Sequence, residues 1–546
     1  MEDIKEVIYK HAVFNAATHA GRANPGSIMG KVISEIPEVK DDTKNIMKII
    51  IEIVNEVNTL SIDEQKKIIE TKYPALLEKK KEEIHELPPL KNHEKVIMRF
   101  APNPDGPLSL GRARTLLLNW FYVQKYRGTF VLRFDDTDPK NKAPIKEAYE
   151  WILDDLLWLE VVPNIVVKAS DRFDIYYEYA KKLLTMEKAY VCTCFSEEWK
   201  ELTREKKACP CRERSASEQL NRWNKMFTEF KEGDAVMRIK TDISHKNPAI
   251  RDWPAFRIVE KTRHPYKTAR VWPLYNFASA IDDHDFEITH VIRGVDLDFA
   301  EIRQKYIYGY FGWTYPISLL NGKLIVEGLK STSQTRKLIE ANERSGWDDP
   351  RLATLMSLKK RGFTKDAIFQ FIKELGLKKS DVEVSIENLA SINRKLLDMK
   401  VDRYHFVSDP LPLSIKLPIH SVLLKYHPEK EKTREIIIGE KIYISRSDFE
   451  KYRGQSVRLK DLATVKLSDP QEYVTDPNHK ALQKIQWVSE SVPVDIVMPD
   501  ATIVSGLGES HLRTLKKDDV IQLVRVGFGR IESVTPKKVI IYFSHS

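Results

Sequence analysis

Apolar residues recur at helical spacing through the first ninety positions. Ile4, Val7, Ile8 and the run His11-Ala12-Val13 open one amphipathic pattern. Ile46, Ile49, Ile50, Ile53, Val54 and Val57 form a second at i, i+3, i+4, i+7. The pattern predicts a helical appendage over residues 1–90 whose stripes pack against one another. Lys79-Lys80-Lys81-Glu82-Glu83, followed by Pro88-Pro89, predicts a helix end and a linker.

From Val96 the pattern changes to strand–helix alternation. Val96 to Phe100 predicts a short buried strand. A loop stiffened by Pro102, Pro104 and Pro107 and bent at Gly106 leads to a helix starting near Ser109, with Leu110, Ala113, Leu116, Leu117 and Trp120 at helical spacing. Gly128 ends that helix, and Thr129 to Phe134 predict a second strand that stops at Asp135-Asp136-Thr137-Asp138-Pro139. An amphipathic helix over about 148–159, with Trp151, Leu153, Leu156 and Leu157 available to pack, and another over about 176–186 continue a doubly wound α/β pattern. A strand, a tight loop and a helix N-terminus together offer backbone N–H groups to phosphate.

Residues 190–270 break the alternation with a charged helical piece (218–230) and a strand-like stretch (235–239), which predicts an insertion. Alternation is expected to resume at 271–275 and 288–294. Residues 349–397 predict basic helices. Beyond 400, short strands such as 422–424, 441–444, 457–459, 520–524 and 539–543 predict one or two antiparallel barrels. The expected organisation is a multidomain α/β and all-β chain. It comprises a helical appendage (1–90), a Rossmann-like domain in two halves (95–190 and 271–345) around an insert (191–270), a helical connector (346–400) and a β-barrel region (401–546).

Composition narrows the class. A chain of 546 residues is too long for one core. With 42% hydrophobic and 31% charged residues it reads as a soluble globular protein, and global disorder is excluded. The balance of 88 Lys and Arg against 79 Asp and Glu gives +9, which draws a polyanion such as RNA only if it is gathered on one face. No apolar run approaches the roughly 20 residues that span a bilayer, and Met1-Glu2-Asp3 does not open a signal peptide, so a cytoplasmic protein is expected.

All four cysteines lie in one window, Cys192, Cys194, Cys209 and Cys211. Two thiol pairs across a short loop suit a closed tetrahedral zinc site that folds a loop with no core of its own. Asp135, Asp136 and Asp138, at a strand end, suit an ammonium group, a ribose hydroxyl or magnesium, or else an Asx turn. Tyr275, Arg293 and Asp296 follow later strands in the same way, and an arginine there has the planar fork that binds both oxygens of a carboxylate.

The segment M-R-F-A-P-N-P-D-G-P-L-S-L-G-R-A-R (98–114) resembles the HIGH motif of class I aminoacyl-tRNA synthetases in its glutamyl form. L-R-F-D-D-T-D-P (132–139), A-Y-V-C-T-C with A-C-P-C-R, N-P-A-I-R-D-W (247–253), W-P-L-Y-N-F (272–277), A-I-D-D-H (280–284) and T-H-V-I-R-G (289–294) follow in family order. S-T-S-Q-T-R (331–336) with S-G-W-D-D-P-R-L (345–352) falls where the KMSKS loop belongs. The resemblance covers about 95–400, and a helical start with a β-rich end is similar to the archaeal and eukaryotic branch. It implies ATP-dependent activation of glutamate and transfer to tRNA(Glu), with magnesium, a structural zinc and a monomeric chain. It leaves open charging of tRNA(Gln). It also implies roles by matching position: Arg99 and Arg293 for substrate carboxylates, Asp135 for the α-ammonium, and Tyr275 and Ser279 for the amino-acid pocket. Ala101, Pro102, Gly111, Ser331, Thr332 and Ser333 are implied at ATP. Ser109, Gly111, Arg112, Ser333 and Arg336 are implied at the reacting phosphates, the 331–336 loop closing over them. The insert would grip the acceptor stem and the barrels would read the anticodon.

The chain departs from the family pattern at its centre. H-I-G-H is Ser109-Leu110-Gly111-Arg112, and the KMSKS lysine is Gln334. Loss of one charged phosphate contact costs roughly 2–4 kcal/mol of transition-state stabilisation. Either Ser109 caps the helix and donates a hydroxyl while Arg112, Lys330 or Arg336 supplies the charge, or the chain is a tRNA-binding relative without activation. A glutaminyl enzyme is the third reading, against which two arginines and an anionic substrate argue.

Overall fold

The structure is a computed structural model that describes residues 2–18, 21–76, 86–326, 331–415, 417–474 and 482–546. The predicted helix end at Lys79–Glu83 and the candidate cation Lys330 lie outside the described residues. The chain divides into two compact units, 1–85 and 86–546.

The first unit holds α-helices Glu2–Thr18, Pro25–Glu35, Thr43–Val57 and Ile62–Lys72. The predicted stripes face inward: Ile8, Ala12, Val13, Ile50, Val54 and Val57 share one core. Ser61 and Glu64 form a reciprocal capping box that starts the fourth helix.

The second unit is organised on a five-stranded parallel sheet. Its strands are β1 (Ile97–Phe100), β2 (Thr129–Phe134), β3 (Ile165–Lys168), β8 (His290–Gly294) and β9 (Ile317–Asn321), in the order β3-β2-β1-β8-β9. Chain order reverses between β1 and β8, the crevice where open α/β sheets take ligands. The helix Leu110–Tyr126 follows β1 and packs in one core with Met98, Phe100, Phe130 and Leu132. The helix Ala148–Trp158 corrects the sequence reading. It buries Ala148, Ile152, Asp155 and Leu156, whereas Leu153 and Leu157 are 40% and 73% exposed. The inward stripe passes through 148, 152, 155 and 156, so 153 and 157 fall on the opposite face.

Between β3 and β8 a second sheet intervenes, antiparallel in the order β4 (Ala189–Cys192), β5 (Val236–Ile239), β6 (Pro254–Ile258), β7 (Val271–Pro273). The strand at 271–273, expected to resume the parallel alternation, belongs to this sheet. Trp272 is fully buried with Trp223, Trp253 and Phe256 in a core that the insert shares with Phe173 before it and Phe277 and Ile281 after it. The helix Tyr275–Asp285 then returns the chain to the parallel sheet.

Helices Leu355–Arg361, Lys365–Leu375 and Ile386–Leu397 extend the core around Leu110–Tyr126 through Leu355, Leu358, Ile368 and Ile372. The β-rich region has two cores. One lies under a seven-stranded sheet whose edge strands are Arg403–Tyr404 and Phe406–Ser408. Those edges are two halves of one segment broken at His405, so the sheet curls until its ends meet. Its pairing is mixed rather than antiparallel: Val494–Val497 runs parallel to Val539–Tyr542, and Arg403–Tyr404 parallel to Gln522–Leu523.

Candidate active site

Three arginines stand near the C-terminal ends of adjacent strands, Arg99 on β1, Arg133 on β2 and Arg293 on β8, all buried. Helix Tyr275–Asp285 brings two carboxylates to them. Asp283 accepts from Arg99 Nε at 2.9 Å and Nη2 at 3.1 Å. Asp282 accepts from Arg133, from Arg172 Nε at 2.7 Å and from the Tyr176 hydroxyl at 2.6 Å. Asp135 pairs with Arg133 Nη1 at 3.1 Å, yet burial holds its carboxyl above the usual range against that pull. Burial pushes Asp136 the same way. Hydrogen bonds from the His264 ring, the Tyr149 hydroxyl and Ser170 outweigh it and hold Asp136 low.

Arg293 differs from its neighbours. Its Nη2 donates to Gln304 Oε1 at 3.2 Å and to the Tyr315 hydroxyl at 2.7 Å, while Nε and Nη1 are buried without a partner. Asn276 Oδ1, Ser279 Oγ and the Tyr308 hydroxyl are likewise buried and unpartnered. Tyr275 is half-buried at the start of its helix, close enough to Arg99 to act on it electrostatically. Such open polar groups in a native core mark a polar ligand site.

Gly294 and Asn321, cross-strand partners at the ends of β8 and β9, form one wall of a cavity of about 520 Å³. Ser109, Gly111, Arg112, Arg114 and Thr115 line the opposite side. The turn Gly322-Lys323 with strand β10 (Leu324–Val326) and residues Ser331-Thr332 complete it. Two helix N-termini open there. Ser109 caps Leu110–Tyr126, its hydroxyl accepting the Arg112 N–H at 3.3 Å, and Ser331 caps Thr332–Glu340 in a capping box with Gln334. Both present free N–H groups and positive dipole ends to an anion.

The expected loop at 331–336 is therefore a cap and the first turns of a helix, because the glutamine at 334 completes the capping box. Ser333 is exposed and does not line the cavity, and neither do Ala101 and Pro102. These two sit at the end of β1, where the Pro102 carbonyl accepts the Asp135 N–H at 2.9 Å. Arg112 donates to Asp105 at 2.7 Å and to the Asn103 carbonyl, and Arg336 to the carbonyls of Asp105 and Ala143. Both arginines thus brace the proline-rich loop from either side.

That loop is clamped throughout. Asp155 accepts the Leu108 N–H at 2.9 Å, Leu110 N–H donates to the Ala353 carbonyl, and Leu355 N–H to the Leu108 carbonyl. A Cβ on Gly106 would stand 2.9 Å from the Trp347 ring, which only glycine permits. Sequence reading missed Asp155, Arg114, Lys323, Gln304 and Tyr315. Arg114 is fully buried, donating to the carbonyls of Gly322 and Gly376. A charged residue on the apolar stripe of its helix was the available signal.

In the insert, the Sγ atoms of Cys192, Cys194, Cys209 and Cys211 all lie within 4.8 Å of one another. The pairs Cys192–Cys209 and Cys194–Cys211 are 3.8 Å apart. Four thiolates around zinc at ~2.3 Å stand ~3.8 Å apart along the edges of a tetrahedron, so the donor set fits that ion. The Thr193 N–H and Arg222 Nη1 point at Cys211 Sγ from 3.5 and 3.4 Å, and its thiol is held far below the ordinary range, first by hydrogen bonds from Cys192 and Cys209.

Comparison with known families places this geometry. Residues 95–399 match the family described as tRNA synthetases class I (E and Q), catalytic domain. Residues 401–482 and 484–532 match that group's anticodon-binding domains. The chain belongs to this family. Over its whole length it is 45% identical to the Glutamate--tRNA ligase of Pyrococcus abyssi and 44% identical to that of Thermococcus kodakarensis, in both cases covering all of the relative. A solved glutamate tRNA ligase from Elizabethkingia meningosepticum, in complex with its amino acid, superposes with a TM-score of 0.40 at 20% identity, over 56% of this chain and 70% of that one. The family boundary at 399/401 falls just after the last connector helix, whereas that at 482/484 comes before Ile485 and Trp487, which still pack in the first of the two β cores.

Proposed function

We propose that this chain is a glutamate–tRNA ligase: ATP activates the glutamate α-carboxylate as an adenylate, and the acyl group then passes to the terminal ribose of tRNA(Glu). The observation that carries the reading is Arg293, a buried arginine with three unspent N–H groups and no carboxylate within salt-bridge distance among the described residues, one residue from the cavity wall. A buried cation without a counter-ion is a site for an anionic ligand. Full-length relatives named for the same reaction support it.

Arg293 holds one substrate carboxylate and Arg99 assists at the other, with Asp283 steering its fork. Asp135 takes the α-ammonium, and Ser279 and Tyr275 complete the pocket. ATP occupies the 520 Å³ cavity with its phosphates toward the two helix N-termini, where Gly111 and Thr332 offer backbone N–H groups. In this reading Arg112 and Lys323 carry the positive charge that the family's histidines and lysine otherwise bring. Positioning and charge stabilisation do the catalytic work, since the attacking oxygen belongs to the substrate. The described residues lining the cavity bring hydroxyls and no carboxylate, and in this reading magnesium enters on the phosphates of ATP. Zinc at the four cysteines shapes the insert that meets the acceptor stem.

Pyrophosphate exchange in the presence of tRNA, run with glutamate and with glutamine, tests the assignment. Exchange with glutamate alone is expected. Exchange with glutamine assigns the chain to the glutaminyl reaction, and tRNA binding with neither exchange leaves a binding protein.

A further inference from the structure

Of the three strand-end arginines, two are neutralised by aspartates, and the third is held by neutral groups only. Arg293 Nη2 spends both its hydrogens, one on Gln304 Oε1 and one on the Tyr315 hydroxyl. The Tyr315 hydroxyl in turn donates to the same Gln304 Oε1 at 2.7 Å. The ring of three contacts orients the Gln304 amide: two donors converge on its oxygen, so its Nε2 faces the other way, and that nitrogen is itself buried without a partner. Gln304 is fully buried on the helix Asp298–Phe311, and Tyr315 precedes β9. The nearest acid on that helix, Glu301, is occupied by Lys305 at 2.6 Å.

We propose that Gln304 and Tyr315 form a neutral brace that fixes the Arg293 fork and leaves its Nε and Nη1 open as donors, making them positioning residues for selection of a carboxylate over a carboxamide side chain. The proposal rests on the reading of Arg293 as a substrate contact. A neutral brace matters because a carboxylate in its place would satisfy the guanidinium and remove its claim on substrate. The donors left open on the fork, Arg293 Nε and Nη1, can only give hydrogen bonds. Either oxygen of a carboxylate accepts from them, whereas a carboxamide meets them only through its one oxygen and is repelled through its N–H₂. Rejection of the amide then comes from unpaired polar groups, the strongest form of discrimination a buried pocket has.

The test compares Tyr315→Phe, Gln304→Leu and Arg293→Gln in tRNA-dependent pyrophosphate exchange with glutamate and glutamine, at saturating ATP and tRNA. Tyr315→Phe and Gln304→Leu are expected to raise the glutamate KM by about tenfold with kcat changed less than about threefold, to leave the KM for ATP unchanged, and to lower the glutamate-to-glutamine ratio of kcat/KM by about tenfold. Tyr315→Phe removes one hydroxyl and keeps the ring, so it reads the brace even where Gln304→Leu fails to fold. An unchanged glutamate KM and ratio in Tyr315→Phe, with Arg293→Gln impaired, overturns the brace. An unchanged KM in Arg293→Gln overturns the pocket reading beneath it.

Discussion

Asp283 takes Arg99 on both sides of its fork, Nε at 2.9 Å and Nη2 at 3.1 Å, with both residues buried. The pair makes Arg99 a different instrument from Arg293. Its charge is already balanced, so it serves as an oriented hydrogen-bond donor and Arg293 as the uncompensated cation. Arg99→Ala strands a buried carboxylate, which costs about 3–5 kcal/mol. The expected outcome is a lower thermal midpoint together with lost glutamate activation and nearly unchanged tRNA affinity. In Arg99→Ala/Asp283→Asn the stranded charge is gone, so part of the midpoint returns while activation stays lost. Recovery of activation in the double variant would show that Arg99 has no part in holding substrate.

A pH-sensitive contact holds the proline-rich loop that leads to Ser109. Asp155 accepts the Leu108 N–H, and burial pushes its carboxyl up to about 7, against the opposing pull of that hydrogen bond and of Lys359. The unfolded chain releases this proton near pH 4, the folded chain near 7. Stability therefore falls as pH rises from about 4 to about 7, by on the order of 4 kcal/mol, and is flat above. Asp155→Asn keeps an acceptor for Leu108 and has no charge to bury. Its midpoint is expected to lie nearest the parent's at about pH 4 and to exceed it at pH 8. Parallel pH profiles for the two proteins would show that Asp155 titrates as an ordinary exposed carboxylate.

How much of this was legible beforehand depends on whether the signal was local. The strand Ile97–Phe100, the cap at Ser109 and the helix that follows are written in consecutive residues, through apolar spacing and a hydroxyl at the N-cap. The cysteine cluster is equally local, its four thiols falling within one window. A buried run such as 271–273 does not say which core buries it, and Trp272 packs with Trp223, Trp253 and Phe256 rather than against the parallel sheet. The apolar residues Leu153 and Leu157 do not show on which side of their helix the sheet lies. Gln304 and Tyr315 were invisible for a further reason: their meaning is their distance to Arg293, 11 and 22 positions away, and no spacing rule encodes it. The loop expected at 331–336 became a helix because the glutamine that replaces the family lysine also completes a cap.

The cysteine cluster predicts a separable module. The insert loop carrying Cys209 and Cys211 packs on Tyr190, Trp199 and Leu202, so a metal held by the four thiols would supply much of its folding energy. Cys211→Ser, or chelation of the parent, is expected to release about one zinc per chain and to open residues 193–215 to limited proteolysis. The KM for tRNA should rise with little change in the KM for ATP. A protein whose metal content and cleavage pattern are the same before and after the substitution would remove zinc from the account.

Gly111 separates packing from ligand approach. A Cβ built on it would meet nothing nearer than the Leu324 carbonyl at 3.7 Å and Ser109 Oγ at 3.8 Å, both ordinary contacts, and its backbone is helical. The fold alone therefore does not require glycine here, and alanine in a helix is favoured by about 1 kcal/mol. What the residue does face is the cavity, in the first turn of the helix whose N–H groups are offered to phosphate. A methyl there keeps the anion from reaching the backbone. Gly111→Ala is thus expected to be as stable as the parent or slightly more so, while its KM for ATP rises at least about tenfold and its KM for glutamate moves little. Most substitutions at an active site lose stability and activity together. Here the two should move in opposite directions, and an alanine variant that activates glutamate normally would place ATP somewhere other than this cavity.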